Sequence, residues 1–320
     1  MKKTLIASAV AAAALSTSAF AMDPATDLAE RLDSMPTFYG NVQLAFANTE
    51  DGDGNTTNNV VDNGSTFGIT HEHAISEGTT GFLKAEFEFD ADEASTGIDE
   101  SDEIYIGVKG DFGSAQIGND DTVYEWVDMV DTYEFTGIDG GELAADKEAE
   151  NFQYVSPEIA DGLVVGVTLP LESDSGFAGA LAAKYSADNL EVAFAYSMGR
   201  EEGTAGQPGY VDAEDTIGLA GSYSMDDLTL IGQYETMSDT ADFYGIQGMY
   251  AMGANSFALG YGMTSFDPSG SEDQSSITVQ ALHNVSDNMY VYLEYTTTTD
   301  VGGVDGADSD TLALGTAYAF

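Results

Sequence analysis

Apolar and polar positions alternate with a period of two over most of this chain. In the last ten residues Leu312, Leu314, Thr316, Tyr318 and Phe320 fall on one face of an extended segment, and Ala313, Gly315, Ala317 and Ala319 on the other. That is the period of a β-strand, whose successive side chains point to opposite faces. The pattern recurs from Phe38 onward, most clearly over 81–90, 103–109, 162–169, 189–198, 216–225, 243–252, 256–264, 277–283 and 289–297. Weaker segments bring the total to about 16 strands, an even number as single-chain bacterial membrane barrels have. No run reaches the roughly 18 apolar residues of a spanning helix. The pattern predicts an all-β chain, a transmembrane antiparallel β-barrel.

The connections alternate in character. Short ones lie at 77–80, 111–113, 157–162, 187–189, 225–227, 253–255 and 286–288. Longer, acidic ones lie at 49–63, 91–102, 120–148, 199–213, 265–274 and 299–308. Short periplasmic turns and long outer loops belong to outer-membrane barrels. In such a barrel Leu83, Ala85, Phe87 and Phe89 face lipid, and Lys84, Glu86 and Glu88 face the lumen. A soluble β-sandwich would turn the apolar face inward, and period two alone fits both. The loop asymmetry, the leader and the terminal aromatic favour the membrane.

Residues 1–21 read as a secretory signal, with Lys2 and Lys3, an Ala-rich stretch and the small-x-small site Ala19-Phe20-Ala21. Residues 22–36 form a short periplasmic extension in which Leu28, Arg31 and Leu32 have helix-like spacing, and 37–320 form the barrel. The extension is a flexible tail, a helix in the lumen or a subunit contact.

Charge and cysteine narrow the picture. There is no Cys, so no disulfide framework or thiolate metal site exists. The chain has 56 Asp plus Glu against 8 Lys plus Arg, and loss of Lys2 and Lys3 takes its net charge from −48 to −50. Nucleic acid is a poor partner for that surface. Its 17 Tyr and 16 Phe, placed in alternating segments, argue for a folded chain rather than an acidic disordered one. Concentrated salt would screen the self-repulsion, so we expect lower stability at low NaCl than at molar NaCl. Equal stability in a folding titration across that range would remove the link to a high-salt habitat.

Several constellations suggest chemistry without supporting it. Asp51-Gly52-Asp53-Gly54-Asn55 with Asp62 has oxygen-ligand spacing, but Thr56 stands where a calcium loop needs Gly, and no helices flank it. His71 and His73 share a face with Phe67 and Ile69, an outward pair rather than a metal site. His283 is isolated, and no serine has a credible base. With 56 carboxylates, chance acid pairs carry no weight. We expect no catalytic residue, no metal and no cofactor.

Tyr39-Gly40, Ser65-Thr66-Phe67-Gly68, Gly81-Phe82-Leu83-Lys84-Ala85, Ile106-Gly107-Val108-Lys109-Gly110-Asp111-Phe112-Gly113, Ile117-Gly118-Asn119, Tyr154-Val155-Ser156-Pro157-Glu158 and the terminal Phe320 follow one another in register. Together they resemble the Gram-negative general diffusion porins. That resemblance implies a 16-stranded homotrimer in the outer-membrane lipid. It implies a passive path for small hydrophilic solutes and ions, and a third long loop folded into the pore. The terminal Phe320 resembles the assembly signal of such barrels. The matching loop here is 120–148, with Glu125, Asp128, Asp131, Glu134 and Asp139 as constriction residues and the only Trp, Trp126, as the anchor against the wall. The facing wall is expected at Thr66, Thr70, Lys84, Glu86, Lys109 and Asn119. The family usually has Arg or Lys there, whereas Thr66, Thr70 and Asn119 are neutral, leaving Lys84 and Lys109. Carboxylates with little opposing positive charge favour cations. The alternatives are a structural or adhesion barrel with a blocked lumen, and an outer-membrane hydrolase.

Overall fold

A computed structural model describes residues 35–94, 97–98, 101–130, 132–138, 143–144, 148–171, 179–199, 201–202, 211–212 and 214–320. The expected signal 1–21 and all but two residues of the expected extension 22–36 lie outside the described residues. So do Asp131 and Asp139.

Sixteen strands close one antiparallel sheet. They are β1 Thr37–Asp51, β2 Thr66–Ser76, β3 Thr79–Glu88, β4 Ser101–Gly110, β5 Gly113–Asn119, β6 Asn151–Val155, β7 Leu163–Pro170 and β8 Ala180–Ala187. The second half comprises β9 Leu190–Ser197, β10 Thr216–Met225, β11 Leu228–Met237, β12 Ala241–Met252, β13 Asn255–Phe266, β14 Gln274–Ser286, β15 Met289–Thr299 and β16 Ser309–Ala319. Sequence neighbours pair in space, and β1 joins β16 from Asn41 opposite Ala319 to Asp51 opposite Ser309. Mutual backbone bonds between Gly40 and Phe320, 3.1 and 2.9 Å, finish the seam. Closure leaves none of the sixteen barrel strands as an open edge among the described residues, which is the condition for a sheet to sit in hydrocarbon. A further strand, Thr56–Asp62, folds back on the outer half of β1 and carries the sheet past the rim.

The two faces sort as the sequence pattern requires. In β16 Leu314 is 59% exposed and Tyr318 53%, while Ala313 is 1% and Ala317 4% exposed. Phe194, Leu219, Ile246, Leu259 and Ile277 likewise point outward and are exposed. Leaving a large apolar side chain in water forgoes roughly 1.5–3 kcal/mol of burial, so this continuous band belongs against lipid. The inward face carries Ala, Gly, Thr, Ser, Gln and Glu. Several short connections are two-residue turns that need positive φ, supplied by Asp226 at 50° and Gly253 at 62°.

The third long connection departs from the rim. After β5 it turns inward through a 3-10 helix, Val123–Val127, whose first turn is capped by the Thr122 hydroxyl accepting from the Tyr124 N–H at 3.1 Å. Val123, Tyr124 and Val127 are buried against Ala180, Ala182, Ala193, Ala195 and Ala220 of β8, β9 and β10. Small residues on the inner wall therefore make the bed on which this loop lies.

Candidate functional site

The inward loop follows the inner wall from β7 to β15. The Thr168 hydroxyl accepts from Val123 N–H at 3.0 Å, and the Gln233 side-chain oxygen accepts from Met129 and Val130 N–H at 2.8 and 3.0 Å. Thr132 and Gln247 exchange side-chain bonds of 2.9 and 2.7 Å. Glycines on the wall let the loop approach closely: a Cβ at Gly218 would collide with Val127, and one at Gly262 with Ile138. Trp126 lies over Gly166 of β7. The Lys184 ammonium of β8 sits 5.4 Å from the centre of its ring.

Two buried wall carboxylates hold the loop backbone. Glu294 on β15, 1% exposed, accepts from four successive N–H groups: Glu134 and Phe135 at 3.1 Å each, Thr136 at 2.6 Å and Gly137 at 3.2 Å. Gln280 adds a side-chain bond of 2.9 Å to the same carboxylate. Glu235 on β11, fully buried, accepts from the Tyr124 hydroxyl at 2.8 Å, Leu143 N–H at 2.9 Å and the Gln233 amide at 2.7 Å. A carboxylate that accepts several charge-assisted bonds is a strong tether in a site of low dielectric constant.

Part of the wall across the barrel from that bed is strongly charged. Thr66, Thr70, Lys84, Glu86, Glu103 and Tyr105 all face the lumen on β2, β3 and β4, as the pairing of Thr70 with Lys84 and of Lys84 with Tyr105 shows. The Lys84 ammonium lies 3.4 Å from Glu86 and forms a closer ion pair with Glu103. Carboxylate oxygens of Glu86, Asp102 and Glu103 all lie within 4.8 Å of one another. Asp120, at the start of the inward loop, accepts from the Gln116 and Gln153 amides.

The expected residues are placed unevenly. Asp128 accepts from the Gln233 amide at 3.2 Å and Glu134 from the Tyr290 hydroxyl at 2.5 Å, so both are tied to the wall by their side chains. Glu125 is half-buried on the 3-10 helix. Asn119 corrects the expectation for the facing wall. It pairs with Ile104 and shares the outward parity of Ile117, and its amide donates to the Ser101 and Asp102 carbonyls at 3.2 and 2.7 Å. Lys109 is also displaced. It faces inward but pairs with Glu72 near the short-turn end of β4, four residues, or roughly 13 Å, beyond Tyr105. Lys184, which sequence reasoning passed over, is the third inward lysine. Its signal was alternation with Leu181 and Tyr185, diluted in an Ala-rich segment.

Two of the set-aside motifs make local contacts. Asp51 uses its carboxylate on the Asp53 and Asn55 N–H groups, at 3.1 and 2.8 Å, and on the Asn55 amide. The His71 and His73 rings stack at 6.4 Å on the outer face.

Burial, reinforced by Glu103 and Asp121 and opposed by Gln116 and Lys84, pushes the Asp120 carboxyl up to about 7. With its folded-state value above the ordinary carboxylate range, Asp120 favours the folded state at low pH, and that contribution is lost as pH rises through about 7. Its negative charge in the lumen has the opposite course, disappearing as pH falls through the same value. We expect the cation-to-anion permeability ratio to drop between pH 8 and 6 by about twofold, and Asp120→Asn to reduce the step. A ratio flat in pH for the parent protein, measured by reversal potential, would contradict this.

A family model described as Gram-negative porin matches residues 6–303. A monosaccharide porin from a Halomonas species is 37% identical over 224 residues, covering 61% of this chain and 59% of the relative. The chain thus matches about three fifths of the length of that curated relative. An anion-selective porin from Comamonas acidovorans has a TM-score of 0.75 at 17% identity, covering 89% of this chain and 99% of that one. The trimer form of OmpT from Vibrio cholerae has a TM-score of 0.68 at 18% identity over 89% of this chain and 99% of that one. At those identities the two structures speak for the fold alone.

Proposed function

This chain belongs to the Gram-negative porin family, and from that membership we propose that it is a passive diffusion channel for small hydrophilic solutes, with a preference for cations. The protein is a multi-pass barrel of the outer membrane. The observation that carries the preference is the wall at Lys84, where one ammonium stands among Glu86, Asp102 and Glu103. Low-dielectric walls focus that potential into the water column. A cation entering the lumen keeps its water shell and meets carboxylates on the wall and on the loop, whereas an anion meets repulsion from both.

No step is chemical and none is coupled to energy: solutes move down their gradients, limited in size by the loop from 120 to 148. Neutral sugars fit the same route, in keeping with the monosaccharide porin named among the relatives. Assembly as a homotrimer follows the form named for the Vibrio cholerae neighbour. Phe320, whose backbone closes the seam on Gly40, is assigned the role of assembly signal.

The test is the reversal potential of the purified protein in a planar bilayer under a KCl gradient. A cation-selective potential with discrete steps is expected. Open channels with no ionic preference would discard the selectivity and keep the channel, and absence of conductance would discard both.

A further inference from the structure

Lys84 is the inward lysine placed among three carboxylates whose ligand atoms are close enough to share one ion. The oxygens of Glu86, Asp102 and Glu103 are mutually within 4.8 Å, and the Lys84 ammonium contacts two of the three residues. Lys84 is fixed from the strand side as well, since Thr70 and Tyr105 are its register partners on β2 and β4. A group of three carboxylates in a narrow, partly buried wall is the donor set that hard divalent cations take. A channel that bound such an ion tightly would stop conducting, because throughput requires that an ion leave as readily as it enters.

We propose that Lys84 acts as a tethered counterion that occupies this carboxylate group, keeps it from trapping divalent cations, and so determines the specificity of the pore for mobile monovalent ions and neutral solutes. The lysine cannot diffuse away, so it lowers the depth of the well without blocking the passage. Glu103, its closest partner, is the residue through which the position of the ammonium is set. The inference deepens the channel function proposed above and rests on it.

The experiment compares the parent protein with Lys84→Gln, Lys84→Arg and Lys84→Gln combined with Glu103→Gln in planar bilayers. Each is recorded in KCl with MgCl2 or CaCl2 added from micromolar to millimolar. The parent current should be little affected. Lys84→Gln should raise the cation-to-anion ratio severalfold and make the current sensitive to divalent ions at concentrations at least tenfold lower than for the parent. Lys84→Arg, which keeps the charge, should behave like the parent, and the double variant should lose the new sensitivity. Heat-modifiable migration confirms that each barrel is folded, and Lys84→Arg serves as the folded reference if Lys84→Gln does not assemble. In that case Lys84→Ala and Lys84→Met, which also remove the ammonium, are compared with it and should show the new divalent sensitivity. Equal divalent sensitivity of the parent and Lys84→Gln, or undiminished block in the double variant, would overturn the inference. A parent channel without cation preference would instead contradict the channel selectivity, and the contrast between Lys84→Gln and Lys84→Arg would still decide the role of Lys84.

Discussion

Glu294→Gln should loosen the inward loop and destabilise the barrel by about 3 kcal/mol, a large effect for an isosteric change. Both oxygens of Glu294 are occupied, one by Glu134 and Phe135 N–H and the other by Thr136 and Gly137 N–H. The Gln280 amide is a fifth donor to the carboxylate. A glutamine must present an NH2 group to one of these donor sets, so an attraction becomes a donor facing donors. The backbone of residues 134–137 would then move towards water and carry Phe135 and Ile138 from their packing. The readouts are the denaturant midpoint of the refolded barrel, which should fall, and the open-channel current noise, which should rise. An unchanged midpoint together with quiet channels would mean that Glu235 and the apolar bed under Val123 and Val127 suffice to hold the loop.

Neutralising three described loop acids together, as Glu125→Gln, Asp128→Asn and Glu134→Gln, should lower the cation-to-anion permeability ratio roughly thirtyfold. A unit charge about 6 Å from a passing ion contributes about 0.7 kcal/mol at the dielectric constant of water, and salt screening cuts this by about half. Three such terms come to about 1 kcal/mol for a cation and the same with opposite sign for an anion, hence the roughly thirtyfold change in their ratio. The amides keep the acceptor oxygens that Asp128 and Glu134 offer to Gln233 and Tyr290, so the loop should stay seated. Reversal potentials in a KCl gradient give the ratio directly. A ratio that does not move would place the selectivity on the wall around Lys84 rather than on the loop.

Much of the fold was legible because a barrel in lipid obeys a simple local rule. Each strand must put apolar side chains out and smaller or polar ones in, and Leu312, Leu314 and Tyr318 against Ala313 and Ala317 show both halves of that rule. The signal weakened where the outward residues were small or the strand short. Strand β8, with Ala183 between Leu181 and Tyr185, and the five-residue β6 were therefore not among the clearest segments. Lys184 was lost with β8. Asn119 and Lys109 were misplaced for a different reason: a likeness of short motifs fixes the strand but neither the depth, which displaces Lys109, nor the face, since Asn119 keeps the outward parity of Ile117.

The sequence by itself determined the strands of alternating faces, the long third connection and the acidity of the chain, because each is encoded in local periodicity, connection length or composition, and the inward course of that loop came from the resemblance to the porins. Only the tertiary structure decided which carboxylates are tethers and which confront the solute. Glu235 and Glu294 look like any other inward acid in their strands, yet they are buried under the loop and accept its N–H groups. Glu86 and Glu103 look the same and instead enclose Lys84. The difference arises from residues 92 to 160 positions away folding over one wall and not the other, a long-range contact that no period of two records.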